Sequence, residues 1–287
     1  MTFTHSQPAR KASRGLPAIL ALTVALGAGI SVVGVTAAHT VRRDAKDDTA
    51  YTFKRVYKSG EVDRYRLTTK MNIDSPQTGG PTDIVTTMLM KELTKEAKED
   101  GASTSVAEFE TAQITLNGMD IDITTMMPKV ITTRDKSGKS EIKMEGGNEQ
   151  VTSQMGDQMK QFTNFGSGYM PSKPVKVGDS WDVDASSLAT KGQTITGKVT
   201  FVSVETVKGV KVAKMKTVMD MSDGKDSKMH STSTSLVDVA TGKPINMVSK
   251  VEGDTGGGKL SIEVTMKMLS KDDVGEAVKA PVDAKKP

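Results

Sequence analysis

Residues 260–268 read LSIEVTMKM, and they carry the clearest structural pattern in this 287-residue chain. Apolar residues stand at every second position, and serine, glutamate, threonine and lysine stand between them. Successive side chains of a β-strand point to opposite faces, so this alternation predicts a strand with one buried and one solvated face. The buried face would carry Leu260, Ile262, Val264, Met266 and Met268.

The same alternation recurs along the chain, at residues 51–57, 62–73, 195–201 and 213–221. Dipeptides ending in glycine separate such runs, among them Ser59-Gly60, Asp100-Gly101 and Asn117-Gly118. Glycine supplies the positive φ that tight hairpin turns need. Strands that follow one another in this way predict an antiparallel sheet. We therefore expect a mainly β fold over residues 50–270, either a large meander sheet or a half-open barrel.

One segment has helical rather than strand spacing. Within residues 149–165, apolar side chains recur at intervals of three and four, which places them on one side of a helix. Asn148 is a good residue to cap the first turn. We predict one central amphipathic helix here, whose apolar stripe holds Val151, Met155, Met159 and Phe162.

A second segment, residues 83–99, fits two patterns. Ile84, Met88 and Met90 alternate as in a strand, whereas Val85, Leu89 and Leu93 have helical spacing. The β-branched run at residues 84–87 favours the strand. A helix remains the alternative.

The N-terminal region has the three parts of a secretory leader. Arg10, Lys11 and Arg14 precede a charge-free apolar run, residues 16–38, that ends in the small residues TAA. This order is typical of a signal peptide. A run of about 20 residues can also span a bilayer as a helix. We therefore expect residues 1–38 to be a signal peptide or, alternatively, an uncleaved signal anchor.

Either kind of leader places the rest of the chain outside the cytoplasm, because the basic flank stays inside. The expected location is periplasmic, extracellular, or anchored to the membrane by the N-terminal helix. Residues 39–49 form a polar linker in this interpretation, and residues 271–287 predict a disordered tail. Without residues 1–38 the chain has 36 basic against 35 acidic residues, so the exported part is nearly neutral.

Composition argues against several classes of function. The chain has no cysteine and only three histidines, which excludes disulfides and thiolate metal sites. Motifs of hydrolases, metalloproteases and nucleotide-binding enzymes are missing, so we expect no catalytic site, metal or cofactor. Lysines alternate with acids and aromatic residues are few, which argues against nucleic-acid binding. His230 begins a Ser/Thr-rich run, residues 230–235, that we expect to face solvent.

The most distinctive stretch is residues 171–182, PSKPVKVGDSWD, which contains the single tryptophan, Trp181. Either Trp181 closes the end of a sheet core, or it forms part of a ligand platform. Together with YTFKRVYKSG at residues 51–60 and EDGA at residues 99–102, this stretch resembles a family of exported bacterial β-rich proteins without an assigned activity. The resemblance implies class and location only. At the level of the fold, the pattern also resembles the half-open barrels of periplasmic lipoprotein carriers, which hold a lipid between a curved sheet and a helix.

Methionine is unusually frequent, at 18 residues. Its flexible side chain fills irregular cores and also lines adaptable apolar binding surfaces. The methionines are therefore either core filler or the lining of a cavity for a hydrophobic or lipid-like ligand. In the second case the lining residues would be Met88, Met90, Met155, Met159, Trp181, Met215, Met219, Met266 and Met268.

These observations favour a non-enzymatic, exported cell-envelope protein that binds a lipid or another hydrophobic ligand. If the leader is retained, the N-terminal segment also binds the membrane. The alternative is a structural or adhesive surface protein without a small-molecule pocket.

Overall fold

The computed structural model describes residues 49–76, 80–137, 139–153, 170–171, 173–183, 194–222, 227–255, 258–270 and 273. Over these residues the chain is mainly β, with twelve strands, a 3-10 turn at Thr124–Met126 and a short helical segment at residues 149–153. The strands are β1 (Val62–Ser75), β2 (Gly80–Ala97), β3 (Ser103–Leu116), β4 (Met119–Asp122), β5 (Lys129–Arg134), β6 (Ser140–Glu145), β7 (Ser180–Asp182), β8 (Thr194–Val207), β9 (Val210–Ser222), β10 (Ser227–Asp238), β11 (Pro244–Thr255) and β12 (Lys259–Met268).

All twelve strands belong to one antiparallel sheet, which confirms the predicted fold class. The order is β6-β5-β3-β2-β1-β12-β11-β10-β9-β8-β7, with β4 paired to β3 alone. Strand β12 pairs with β1, so the first and the last strand meet at the centre of the sheet. Within the described residues β6 and β7 are the outer strands of this path, and the sheet is not closed.

The segment 51–57 is not the strand that its alternation predicts. Only Tyr51 forms a β-bridge, with Val175, and the rest of the segment is extended without a strand partner. The turn at Ser59-Gly60 is present, but it leads into β1, which pairs with β2 and β12 instead. The alternation of 51–57 reflects burial of Tyr51 and Phe53 against the sheet rather than pairing within it.

The segment 83–99 forms most of β2. It is therefore the strand that its β-branched residues favour and not the alternative helix. Its helix-like spacing has a structural cause. Leu89 is 3% exposed although it lies on the opposite face from Met88. On that opposite face the Arg64 guanidinium donates to the Glu110 carboxylate of β3, Nε to Oε2 at 3.0 Å, across β2. Both faces of β2 are therefore partly covered, which obscures the alternation.

The Asn117-Gly118 turn is confirmed, with φ of 48° and 82°. The same geometry occurs at Lys208-Gly209, between β8 and β9, with φ of 49° and 81°. We did not predict this turn, because lysine is an uncommon residue at a positive φ.

The predicted helix begins as expected. Residues 149–153 are helical, and the Asn148 Oδ1 accepts hydrogen bonds from the backbone N–H groups of Gln150 and Val151 at 3.0 and 3.3 Å. The rest of this helix lies outside the described residues. So do the predicted leader at residues 1–38, nearly all of the linker at 39–49 and nearly all of the tail at 271–287. No helix among the described residues is long and apolar enough to cross a bilayer.

Candidate functional site

One face of the sheet carries buried side chains on most strands, and we call it the inner face. Its larger apolar cluster joins residues of β1, β2, β3, β11 and β12 to Ile123, Met127 and Val151. A second cluster surrounds Phe201 of β8 and Met215 of β9, and it includes Tyr51, Phe53 and Val175. The opposite face, the outer face, carries most of the lysines and acids of the same strands.

The predicted ligand-lining residues divide between these clusters. Those in or against the larger cluster are Met88, Met90, Met266 and Met268. Those in or against the second cluster are Met215, Met219 and Trp181. The remaining two, Met155 and Met159, lie outside the described residues. Among the buried residues that the sequence did not single out are Met71 and Met247, at 2% and 1% exposure. Both follow the period-two pattern of buried residues along their strands, so the sequence pattern already indicates that they are buried.

Cross-strand pairing arranges these side chains in rows. The methionine row crosses eight strands from β8 to β3, with neighbours directly opposite each other: Phe201, Met215, Ser235, Met247, Met266, Leu67, Met88 and Ala112. Every member is buried. A second apolar row crosses the same strands four residues further along: Gly197, Met219, Ser231, Val251, Ile262, Met71, Ile84 and Leu116.

A row rich in hydroxyl groups lies between these two. The hydroxyl row consists of Val199, Thr217, Ser233, Ser249, Val264, Thr69, Thr86 and Ile114. All of its members are buried, yet the hydroxyls of Thr69, Thr86 and Thr217 have no hydrogen-bond partner. Among the described residues the only other buried side-chain polar atom without a partner is the Ser103 Oγ.

The hydroxyl row corrects one expectation. His230 does face solvent, but Ser231, Ser233 and Ser235 of the same run lie on the inner face and are at most 7% exposed. Strand alternation requires this once His230 points outward. The composition of β10 does not indicate which face is buried, because polar residues occupy both of its faces.

The chain after β4 covers part of the inner face. The Ile123 N–H donates to the Ala112 carbonyl at 2.9 Å, and the Thr124 Oγ1 accepts from the Ala112 N–H at 2.9 Å. These bonds hold Ile123 and Met127 in the larger cluster. A Cβ on Gly147, whose φ is +74°, would lie 2.8 Å from the Met126 carbonyl oxygen. The close approach at Gly147 holds the start of the helix, with Val151, against the same cluster.

Residues 51–57 cross one end of the sheet. The Tyr51 and Phe201 ring centroids are 5.5 Å apart at β8, while the guanidinium of Arg134, on β5, lies 4.8 Å from the Tyr57 ring. The segment therefore runs from the β8 side of the sheet to the β5 side.

A buried charge cluster lies at the same end. The Lys243 Nζ donates to the Asp63 carboxylate at 2.8 Å and to the Glu61 carboxylate at 2.6 Å. The Lys243 and Asp63 side chains are 7% and 6% exposed, and Arg55 lies 3.5 Å from Asp63. Nearby, burial raises the pKa of the Tyr65 hydroxyl well above its usual range. The four charged groups of this cluster are paired with one another, and the rows carry no charge.

The outer face holds one constellation that resembles a catalytic relay. The His230 Nδ1 lies 2.8 Å from the Asp220 carboxylate, and its Nε2 lies 3.2 Å from the Thr232 hydroxyl. The His230 and Asp220 side chains are 54% and 69% exposed. An open groove of about 440 Å³ lies beside them, with Met221 and Met229 in its wall. Nothing excludes water from this relay, and we assign it no reaction.

Within the described residues no group of three potential metal-binding side chains occurs. The inner face carries methionine, leucine, isoleucine and valine side chains on adjacent strands.

No family model matches the sequence, and no curated protein matches it. Solved structures show limited likeness. One is lipovitellin, described for its lipid–protein interactions, with a TM-score of 0.45, 10% identity and 75% of this chain covered. This chain spans only 26% of that protein.

Two shorter proteins are similar over most of their length. An exported protein of Bacteroides fragilis with a YmcC-like fold has a TM-score of 0.25 and 13% identity, over 77% of this chain and 100% of the other. The hypothetical lipoprotein YmcC of Escherichia coli has a TM-score of 0.25 and 12% identity, over 74% and 89%. All three TM-scores lie below 0.5, so these likenesses carry no inference about function.

Proposed function

We propose that this chain is an exported, non-enzymatic protein of the cell envelope that binds a hydrophobic or lipid-like ligand on the inner face of its sheet. The observation that supports the proposal most is the methionine row, which crosses eight strands and carries methionine on four of them. Methionine adapts its shape to apolar ligands of different outline. Export is proposed from the leader-like residues 1–38.

A structural or adhesive role has less support. The exposed large apolar side chains of the described residues are on five different segments of the chain and form no row: Val56, Val62, Met119, Val202 and Val210. An adhesive surface needs a contiguous apolar patch of a few hundred Å².

Native mass spectrometry of the full chain, purified without detergent from the producing cell, tests the proposal. We expect a mass above that of the polypeptide, and loss of the excess mass when the same sample is denatured. Lipid extraction of the sample should then yield an acyl-containing molecule. A native mass equal to that of the polypeptide, and no uptake of added 1,2-dioleoylglycerol, would contradict ligand binding.

A further inference from the structure

We propose that the hydroxyl row is a polar subsite on the inner face, and that it binds the carbonyl oxygen of a neutral, ester-linked acyl lipid. This inference rests on the proposed function and adds the chemical class of the ligand. It starts from the three buried hydroxyls that have no partner.

Thr69 and Thr86 are 0% exposed, and Thr217 is 1% exposed. None of their Oγ1 atoms has a hydrogen-bond partner. Buried hydroxyls in folded proteins nearly always have one, because leaving the group unpaired in an apolar surrounding is destabilising. Three such groups in a single cross-strand row are therefore a local feature that needs an explanation.

The same row shows that an apolar residue fits at these positions. Val264 lies directly opposite Thr69, and Val199 lies directly opposite Thr217. Both valines are at most 1% exposed. Valine has nearly the shape of threonine and lacks the hydroxyl, so packing alone would be served equally well by valine. The hydroxyls are then explained by a partner that the described chain does not supply.

The surroundings define the chemistry of that partner. The hydroxyl row and the two rows beside it contain no charged residue, and an ion in such a place would be strongly destabilised. A threonine hydroxyl can donate to a neutral acceptor such as a carbonyl oxygen. The methionine row and the second apolar row flank the hydroxyl row. Each lies two residues, or about 6.7 Å, away from it along the strands. The partner therefore has a carbonyl with apolar groups on both sides, as in a glycerol ester.

A competition between two lipids tests the inference. The full chain is incubated with equal amounts of 1,2-dioleoylglycerol and its diether analogue, which has the same chains but no carbonyl, both delivered from cyclodextrin. Occupancy is measured by native mass spectrometry. Two carbonyl hydrogen bonds should make the ester bind about tenfold more tightly. The double variant Thr69→Val/Thr86→Val should remove this preference and leave diether binding unchanged.

The matched control is Thr68→Val/Thr87→Val, a pair that is likewise directly opposite but faces outward. It should keep the preference for the ester. Equal binding of both lipids by the unmodified chain overturns the subsite while leaving the proposed function intact. Binding of neither lipid overturns both. An ester preference that survives in Thr69→Val/Thr86→Val means that these hydroxyls do not bind the carbonyl, and it also overturns the subsite.

Discussion

Thr69 of β1 and Thr86 of β2 face each other directly in the centre of the sheet, both fully buried and both with unpaired hydroxyls. One position along, Thr68 and Thr87 form an equivalent pair on the outer face. The two threonine pairs thus belong to the same register and occupy opposite faces. This contrast separates the intrinsic preference of threonine for strands from the consequence of burying its hydroxyl.

Thr69→Val should stabilise the protein. The substitution removes a buried hydroxyl without a partner and keeps the side-chain volume, so the free energy of unfolding should rise by about 1 kcal/mol. Urea denaturation followed by circular dichroism measures this change. The control Thr68→Val, on the outer face, should change the free energy by less than about 0.5 kcal/mol. A clear loss of stability in Thr69→Val would mean that the hydroxyl has a partner within the protein.

Lys243→Met should be strongly destabilising. It leaves the buried Asp63 carboxylate without its 2.8 Å partner, and breaking a buried ion pair in this way typically costs about 3–5 kcal/mol. The control is Lys70→Met, which removes an exposed pair with Glu263 at 3.8 Å and should cost less than about 1 kcal/mol. Equal effects of the two substitutions in denaturation experiments would show that the cluster at Lys243 does not hold this end of the sheet.

Adjacent glycines test how the helix start is held. Gly146 and Gly147 have φ of +70° and +74°, but a Cβ would clash with backbone only at Gly147. Each alanine substitution should cost about 1–2 kcal/mol for the left-handed backbone. Gly147→Ala should cost more than Gly146→Ala, and faster amide exchange at Val151 should accompany it. If the two variants unfold at the same urea concentration, the close approach at Gly147 contributes nothing.

Alkaline pH should destabilise the protein through Tyr65. Burial raises its pKa in the folded state, so the folded protein keeps this proton where the unfolded chain loses it. The stabilisation is complete below the unfolded pKa of about 10 and is lost as pH rises above it. The free energy of unfolding should therefore fall more steeply between about pH 10 and pH 11 in the unmodified chain than in Tyr65→Phe. Identical slopes would contradict the burial of this hydroxyl.

The sequence predicts a large part of the fold because alternation reports directly on strands with one buried face. Strand β12 shows this, since Ile262, Val264 and Met266 are buried as its pattern predicts. Alternation does not identify the buried face where both faces of a strand have similar polarity. In β10 the buried Ser233 and the half-buried Thr232 are chemically alike, and in β2 an ion pair spans the outer face over Leu89.

The candidate site is harder to predict than the strands. Period two identifies Met88 and Met266 as residues of one face, but only the register places them in the same row, with Leu67 between them. The importance of Thr69 and Thr86 likewise depends on burial and on missing partners, which require coordinates. Segment 51–57 shows the converse limit, since its alternation is real but comes from packing against the sheet.

Photo-crosslinking with a neutral, diazirine-bearing diacylglycerol tests the central claim, that the inner face of the sheet binds an apolar ligand. The lipid is bound to the full chain and irradiated, and the labelled residues are located by peptide mass spectrometry, with unlabelled 1,2-dioleoylglycerol as competitor. We predict competable labels at Met266 and Met247, which face inward, and none at Lys267 and Val248, their neighbours on the outer face. Labels on both faces alike, or labels that excess 1,2-dioleoylglycerol does not reduce, would contradict binding on the inner face.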